Sequence, residues 1–218
     1  MCGCSFNDDY NEDVLMDILY NDKDTRLFSY SAVPESDKQM VWHEEFDNND
    51  SKFPVDTSIV YSNITTFIKD GILTISSEIN DRIPIRFPLE IDGRRNFEVE
   101  INLFVSNGIL EQKCLLMCGN TDVNSMFQGY LVGIDEDLKI RIIWVFIPII
   151  TFDIKDYLML GDFNIVTIRK IDDTFIFFIN KKFVYSEEKK NLYCNSAYFY
   201  LYSGINMFDY MRVQYIND

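Results

Sequence analysis

Apolar and polar residues alternate in short runs along most of the chain from about Met40 onward. Between Phe97 and Leu103 every second residue is apolar, and Glu98, Glu100 and Asn102 fill the intervening positions. A period of two is typical of a strand with one face in the core and the other in water. We therefore expect Glu98 and Glu100 to lie on a solvated sheet face.

Ten segments have a β-type pattern, and turn residues such as Asp70-Gly71 and Asp92-Gly93 separate many of them. Short strands at this spacing, with no long helical pattern between them, predict an all-β protein. The expected architecture is an antiparallel two-sheet jelly-roll sandwich. The predicted strands are Val41–Phe46, Ile72–Ser76, Phe97–Phe104, Cys114–Cys118, Gly129–Ile134, Lys139–Phe146, Asn164–Ile171, Thr174–Asn180, Ala197–Ser203 and Phe208–Tyr215.

The start of the chain has a different pattern. Residues 1–12 are polar, and Val14, Leu15, Ile18 and Leu19 then recur at helical spacing, which predicts a short helix over residues 12–20. We divide the chain into an acidic N-terminal extension, residues 1–39, and a β-sandwich domain, residues 40–218.

Negative charge is concentrated in the first part of the chain. The net charge is −15, and residues 1–50 hold thirteen Asp or Glu against three Lys or Arg. This excess argues against binding to nucleic acid or to anionic membranes, since both require basic side chains. The longest apolar stretch, Ile142–Phe152, contains Pro148 and is too short to span a bilayer.

The single histidine and the spacing of the cysteines exclude several kinds of site. His43 alone cannot build a multi-histidine zinc centre, and any Ser-His-acid arrangement would depend on it. The five cysteines form no CxxC pair, and Cys114, Cys118 and Cys194 lie in apolar runs, where we expect reduced core residues.

The cysteines at positions 2 and 4 precede an acidic stretch and resemble the tether of a mature bacterial surface lipoprotein. We favour this extracytoplasmic location. A cytoplasmic protein with an acidic start is the other interpretation.

Four segments, in this order along the chain, resemble the family 16 glycoside hydrolases of the laminarinase and lichenase type. More loosely, they resemble the laminin-G-like domains of the same concanavalin A-like superfamily. The resemblance implies a jelly roll over most of the sandwich domain. The four segments are Val41–Asn48, Lys69–Ile75, Asn96–Ile101 and Phe208–Tyr215.

The family's catalytic motif is missing from its expected place. In the family, Glu-x-Asp-x-Glu supplies a retaining carboxylate pair on the strand after the one that begins here at Phe97. This chain reads Lys113-Cys-Leu-Leu-Met-Cys-Gly-Asn120 there, with no carboxylate. The resemblance therefore predicts no catalytic residues.

Glu98 and Glu100 are the only catalytic candidates, and both are weak. Their Cα atoms are expected roughly 6.6 Å apart along a strand. The carboxylates could then approach the ~5–5.5 Å separation of retaining enzymes. The alternative is two ordinary glutamates on a sheet face.

Tyrosines alternate along one predicted strand, at positions 198, 200 and 202. A flat aromatic face stacks on sugar rings while the hydroxyl groups bond to them. Tyr198, Tyr200 and Tyr202 are therefore candidate carbohydrate-binding residues, and half-burial against the sheet edge is the alternative. Trp144 is a further candidate, although it could equally be a core residue.

The family often carries a structural calcium ion. The resemblance assigns the ligands to Glu45, Gly71 and Asp209, and oxygen ligands from separate strands suit this hard cation. Otherwise, Glu45 and Asp209 are ordinary carboxylates at strand ends.

The sequence thus predicts a non-catalytic carbohydrate-binding or adhesion module that binds a poly- or oligosaccharide. A protein-interaction sandwich, whose acidic extension engages a basic partner, is the main alternative. A divergent glycoside hydrolase that uses Glu98 and Glu100 is the third possibility.

Overall fold

Antiparallel β-strands make up nearly all the regular structure in this computed structural model. They pair into two sheets, so the predicted all-β, two-sheet sandwich is confirmed. The structure describes residues 24–48, 64–77, 83–87, 89–106, 114–120, 128–134, 139–144, 147–153, 157–189, 194–201 and 204–217.

The strands of the larger sheet are β1 (Lys38–Glu44), β2 (Ile64–Lys69), β3 (Ile72–Ser77), β5 (Phe97–Val105), β10 (Asp162–Ile171), β11 (Thr174–Ile179), β12 (Lys182–Glu188) and β14 (Gly204–Ile216). Those of the smaller sheet are β4 (Ile83–Arg86), β6 (Cys114–Asn120), β7 (Gln128–Ile134), β8 (Lys139–Trp144), β9 (Ile147–Asp153) and β13 (Ser196–Leu201). Within the described residues the larger sheet has eight strands, in the order β12-β11-β10-β5-β14-β3-β2 with β1 also beside β14. The smaller sheet has six, in the order β4-β13-β6-β7-β8-β9.

The inner faces of the two sheets pack together to form the main core. The apolar side chains of β5 are buried there, as their alternation predicts. Tyr130 of β7 contacts Phe175 and Phe177 of β11, with ring centroids 5.0 and 5.2 Å apart. Aromatic contacts of this kind favour tilted and edge-to-face geometry, which both pairs have. The rings thus join the two sheets.

The outer face of β5 is also buried, so the prediction of a solvated face is wrong. Glu98 and Glu100 are 1% and 0% exposed. Residues 24–37, which we call the strap, lie over this face and contain three short 3-10 helices, Thr25–Leu27, Tyr30–Ala32 and Glu35–Asp37. The predicted helix at residues 12–20 lies outside the described residues.

The strap adds a second, smaller apolar cluster on the outer side of the larger sheet. Its buried members are Val33, Ile171, Ile176, Phe178 and Ile216, and Leu27, Tyr30 and Phe183 pack against them. Part of the predicted extension is therefore packed against the sandwich.

All ten predicted strands are present, and the described residues contain four more strands that were not predicted. The missed strands are β2, β4, β9 and β12. Pro148 lies in β9, an edge strand of the smaller sheet, where proline is tolerated. Glu187 belongs to β12, an edge strand of the larger sheet, and accepts a hydrogen bond from the Tyr130 hydroxyl at 2.7 Å.

A disulfide joins Cys118 of β6 to Cys194, just before β13. The prediction that these cysteines are reduced is therefore wrong, although both are fully buried in the core as expected. The bond links the start of β13 to the neighbouring strand β6, with which β13 pairs from Ser196 onward.

Candidate functional site

Acidic residues from three parts of the chain line one pocket beside the end of β1, the β2–β3 turn and the middle of β14. The pocket has a volume of about 220 Å³. Carboxylates that are held close together repel one another unless something neutralises them. We call this site the acidic pocket, and its lining residues are Glu45, Asp47, Asp70, Gly71, Asp209 and Tyr210.

Two tight turns of the backbone build the pocket. Asp70 and Gly71 have φ angles of 52° and 75°, as a two-residue hairpin turn of type I′ requires. Just past β1, Phe46 has a φ angle of 57°, which is uncommon for a residue other than glycine. Phe46 is fully buried, and its amide donates to Glu44 Oε1 at 2.8 Å. Core packing and this hydrogen bond together hold the second turn.

Gly71 leaves space for oxygen atoms that face the turn. A Cβ atom at this position would lie 3.2 Å from Asp47 Oδ1 and 3.9 Å from the carbonyl oxygen of Glu45. A side chain would therefore fill the place where these oxygens converge.

Asp209 is held in the wall of the acidic pocket by a β-bulge. The register of β14 against β5 shifts between Phe208 and Tyr210, which makes Asp209 the extra residue. Asn102 Nδ2 donates to Asp209 Oδ2 at 2.8 Å. Asn102 Oδ1 is buried and has no hydrogen-bond partner, an uncommon state for a buried amide oxygen.

These groups fit a hard cation such as calcium, which prefers carboxylate and carbonyl oxygens. Among the described residues, no three His, Cys, Asp or Glu side chains form a metal-binding group by themselves. A cation in the acidic pocket would therefore need backbone oxygens and water as well as carboxylates. The carbonyl oxygen of Glu45, which faces Gly71, is consistent with such a mixed set.

The three residues predicted as calcium ligands, Glu45, Gly71 and Asp209, all line the acidic pocket. Asp47 and Asp70 were missed, although each lies within two positions of a predicted ligand in the sequence. The side chain of Glu45 is 65% exposed, and its Oε1 lies 3.6 Å from His43 Nε2.

The weak catalytic candidate Glu98 is engaged by two basic side chains. Its Oε1 lies 2.9 Å from Lys38 Nζ, and its Oε2 lies 2.7 Å from Arg169 Nη2. All three side chains are fully buried. Arg169 also donates to the carbonyl oxygens of Ser29 and Tyr30 at 3.2 and 3.0 Å, so the strap closes over this ion pair.

The second weak candidate, Glu100, accepts hydrogen bonds from three hydroxyl groups. The donors are Tyr210 at 2.7 Å, Tyr30 at 2.8 Å and Thr167 at 3.1 Å. Arg212 Nη2 lies 2.9 Å from the same carboxylate. Neither Glu98 nor Glu100 is accessible to a substrate in this arrangement, and both act as structural anchors.

Burial raises the pKa of the Tyr30 and Tyr210 hydroxyl groups, and the negative charge of Glu100 raises it further. The charge of Glu98 adds to the increase in the pKa of Tyr30. Both tyrosines are therefore protonated hydrogen-bond donors at any physiological pH, and neither is suited to act as a general base.

The candidate tyrosines lie on β13, the second strand of the smaller sheet. Tyr198 is half-buried and pairs with Arg86 of β4 and Met117 of β6. Tyr200 pairs with Pro84 and Leu115. The position of Tyr202 lies outside the described residues.

Trp144 lies three strands away from the tyrosines, on β8. In the register Trp144 pairs with Tyr130, Tyr130 pairs with Cys118, and Cys118 pairs with Ala197. Tyr130, Cys118 and Ala197 are buried core residues. Tyr198 belongs to the neighbouring cross-strand row, and successive rows lie on opposite faces of a sheet. The structure therefore places Trp144 and Tyr198 in different rows.

The sequence matches no protein family model, and no curated protein matches it. Solved structures do resemble it. An endo-β-1,3-glucanase from Pyrococcus furiosus has a TM-score of 0.59 at 15% identity, over 83% of this chain and 96% of that one. The catalytic domain of a laminarinase from Thermotoga petrophila has a TM-score of 0.57 at 15% identity, over 84% and 99% of the two chains.

A lectin domain resembles the chain as well. The exoplasmic/lumenal domain of VIP36, in a form bound to Ca²⁺ and Man3GlcNAc, has a TM-score of 0.53 at 8% identity, over 71% of this chain and 82% of that one. The chain has the concanavalin A-like jelly-roll fold. The resemblance predicted from the four segments is therefore confirmed at the level of the fold.

Glucanases and lectins share this jelly roll, so the fold is one on which carbohydrate-binding proteins are built. No helix in the described ranges has the length and apolar content needed to cross a bilayer.

Proposed function

We propose that this protein is a non-catalytic, lectin-like carbohydrate-binding module. The observation that carries the proposal is strand β6 (Cys114–Asn120). It follows β5 in the chain and pairs with β13 and β7 in the smaller sheet, where the glucanase resemblance requires the catalytic carboxylates. β6 contains no Asp or Glu. A jelly roll without that pair retains a sheet that can bind sugar and lacks the groups that cleave it.

Tyrosines on the adjacent strand support a binding role for this sheet. Tyr198 and Tyr200 lie on β13, which is hydrogen-bonded to β6 along its length. Tyr198 is half-buried, so part of the residue is in contact with solvent. A ring fixed in this way can stack on a pyranose face at little cost in side-chain entropy.

A divalent cation, with calcium as the first choice, belongs to the same proposal. It would occupy the acidic pocket and be held by Asp209, the Glu45 region and the Gly71 turn. The cation would neutralise clustered carboxylates and link the end of β1 to the β2–β3 turn and to β14.

The buried disulfide between Cys118 and Cys194 supports an extracytoplasmic location, since such bonds persist in oxidising compartments. A bacterial surface lipoprotein anchored near Cys2 is consistent with this location and stays a prediction.

Binding to a panel of polysaccharides and oligosaccharides tests the proposal. The panel should include β-1,3-glucan, β-1,3-1,4-glucan and a mannose-rich oligosaccharide, each measured by calorimetry with calcium and with a chelator. We expect saturable binding to at least one glycan, and a loss of at least tenfold in affinity in Tyr198→Ala or Tyr200→Ala.

Phe67→Ala is the matched control for these variants. Phe67 is 46% exposed on β2 of the other sheet, so its loss removes an exposed aromatic ring without touching β13. Folded protein that binds no glycan, or an equal loss in Phe67→Ala, would contradict the proposal. Release of reducing ends from any glucan would contradict its non-catalytic part.

A protein-interaction role is the second candidate, because one apolar patch on the outer face of the larger sheet lies apart from the strap. Phe67 and Met207 lie in one cross-strand row through Thr74, and Ile205, 59% exposed, lies in the next row on the same face. Exposed apolar side chains that neighbour one another often mark protein contacts. Capture of a defined partner that is lost in Ile205→Asp would favour this candidate.

A further inference from the structure

The strap is held to the sheet mainly through side chains, since among the described residues one hydrogen bond between backbone groups joins it to the sandwich. Asn217 donates its amide to the Asp37 carbonyl at 2.8 Å. The Tyr30 hydroxyl donates to Glu100, and the Arg169 guanidinium donates to the Ser29 and Tyr30 carbonyls. Glu35 accepts hydrogen bonds from Lys38 Nζ at 2.8 Å and from Gln214 Nε2 at 3.4 Å. The ring of Tyr30 contacts Phe178 edge-on, with centroids 5.5 Å apart, and Val33 is buried in the smaller apolar cluster. Docking of the strap therefore depends in part on where Glu100 and Arg169 lie.

Tyr210 connects the acidic pocket to the same carboxylate. It lines the acidic pocket, and its hydroxyl donates to Glu100 Oε1 at 2.7 Å. The other oxygen, Glu100 Oε2, accepts from Tyr30 of the strap at 2.8 Å. One buried carboxylate thus lies between a tyrosine of the pocket and a tyrosine of the strap.

The strands that carry these residues also carry the pocket wall. Asn102, which positions Asp209, lies two residues after Glu100 on the same face of β5. On β14, the bulged Asp209 immediately precedes Tyr210. A shift of this bulge would displace the Asp209 carboxylate and the Tyr210 hydroxyl together.

We infer that cation binding in the acidic pocket and docking of the strap are thermodynamically coupled through Tyr210 and Glu100. The inference rests on the cation site of the proposed function. Without a cation, repulsion among the carboxylates favours displacement of Asp209 and of the bulge. A bound cation removes that repulsion and fixes β14 in the register that places Tyr210 on Glu100. Coupling is reciprocal, so a docked strap strengthens cation binding by the same factor.

Hydrogen exchange of the full chain, followed by mass spectrometry of strap peptides, measures the coupling directly. The two conditions are 1 mM calcium chloride and excess chelator at the same ionic strength, and the affinity for calcium is measured separately by calorimetry. We expect calcium to slow exchange in the strap by about tenfold, within the usual range of allosteric coupling. Exchange in β7, a strand of the smaller sheet, serves as an internal reference, because the strap packs on the outer face of the larger sheet.

Tyr210→Phe tests the pathway, because it retains the ring in the pocket wall and removes only the hydroxyl. We expect calcium binding to persist, weakened by no more than the coupling factor, and the effect of calcium on the strap to disappear. Tyr215→Phe is the control on the same strand, since its hydroxyl accepts a hydrogen bond from the Asp92 amide, far from Glu100 in the register. It should keep the full effect of calcium.

Tyr30→Phe gives the same test from the side of the strap, and it replaces Tyr210→Phe if that variant does not fold. Calcium binding with unchanged exchange in the strap would overturn the coupling and leave the cation site standing. No calcium binding by the folded chain would overturn both the cation site and the coupling. A full calcium effect in both tyrosine variants would also overturn the inference.

Discussion

Glu98 and Arg169 form an ion pair with 2.7 Å between Glu98 Oε2 and Arg169 Nη2, and neither side chain has exposed surface. The two residues are directly paired across β5 and β10. Lys38, also fully buried, contacts the other carboxylate oxygen at 2.9 Å. Removing one member of such a group costs more than the group contributes in total, because the remaining charges are left buried without a partner.

We therefore expect Glu98→Gln to lower the free energy of unfolding by about 3–5 kcal/mol. The substitution keeps the size of the side chain and leaves Arg169 and Lys38 without a negative partner. Urea unfolding followed by circular dichroism measures the loss. Arg94→Gln is the control, because the Arg94 and Asp92 pair is exposed and its removal should leave the midpoint unchanged. If Glu98 were instead a catalytic group, Glu98→Gln would abolish a glucanase activity at unchanged stability.

Gly93 should not tolerate even an alanine. A Cβ atom at this position would lie 2.2 Å from the carbonyl oxygen and 2.6 Å from the amide nitrogen of Cys194. Both are backbone atoms next to the disulfide, so they cannot move aside cheaply. We expect Gly93→Ala to destabilise the fold by about 1–3 kcal/mol, as overpacking in a core does. A melting temperature of Gly93→Ala equal to that of the unmodified protein would show that Gly93 and the Cys194 backbone are less closely packed.

The disulfide between Cys118 and Cys194 should make a large contribution to stability. The two cysteines are 76 residues apart, and a bridge over such a long loop restricts the unfolded chain strongly. Replacing both by alanine should cost about 2–5 kcal/mol in urea unfolding. A reducing agent should lower the midpoint of the unmodified protein and leave that of the double variant in place. Equal midpoints without reductant would contradict the prediction.

Acid should weaken the attachment of the strap through Glu35. Burial alone would raise the pKa of Glu35, but the hydrogen bond and charge of Lys38 lower it overall, from an ordinary value of 4.5. A lowered pKa in the folded state means that this contact stabilises above pH 4.5. The contribution is lost as the pH falls through the lowered pKa.

Thermal unfolding at a series of pH values between 3 and 7 checks this sign. The difference in melting temperature between the unmodified protein and Glu35→Gln should be constant above pH 4.5 and shrink below it. A difference that grows in acid would show that another group controls the strap.

The sequence was sufficient to predict ten of the described strands and three of the residues that line the acidic pocket. Alternation located β5, and the Asp70-Gly71 pair located the turn that leads into β3. The motif around Glu45 and the one around Asp209 are far apart in the sequence. Their resemblance to a known family predicted that they meet, and both line the acidic pocket.

The burial of Glu98 and Glu100 could not be predicted, because alternation describes one strand at a time. It shows that two glutamates share a face, but not that Arg169 and Thr167 lie opposite them on β10. Those pairings join residues about 70 positions apart. Nor does the pattern show that the strap would cover this face, since its residues carry no regular period.

The position of β14 (Gly204–Ile216) sets the order in which the larger sheet can be completed during synthesis. This strand follows every other described strand in the chain, yet it lies between β5 on one side and β3 and β1 on the other. Until it leaves the ribosome, β5 has one open edge, and β1 has no neighbour on the side that β14 will occupy. Open edges of this kind attract other chains. We therefore expect the sheet to close only after translation of residue 216, and a nascent chain that ends earlier to need a chaperone to remain soluble.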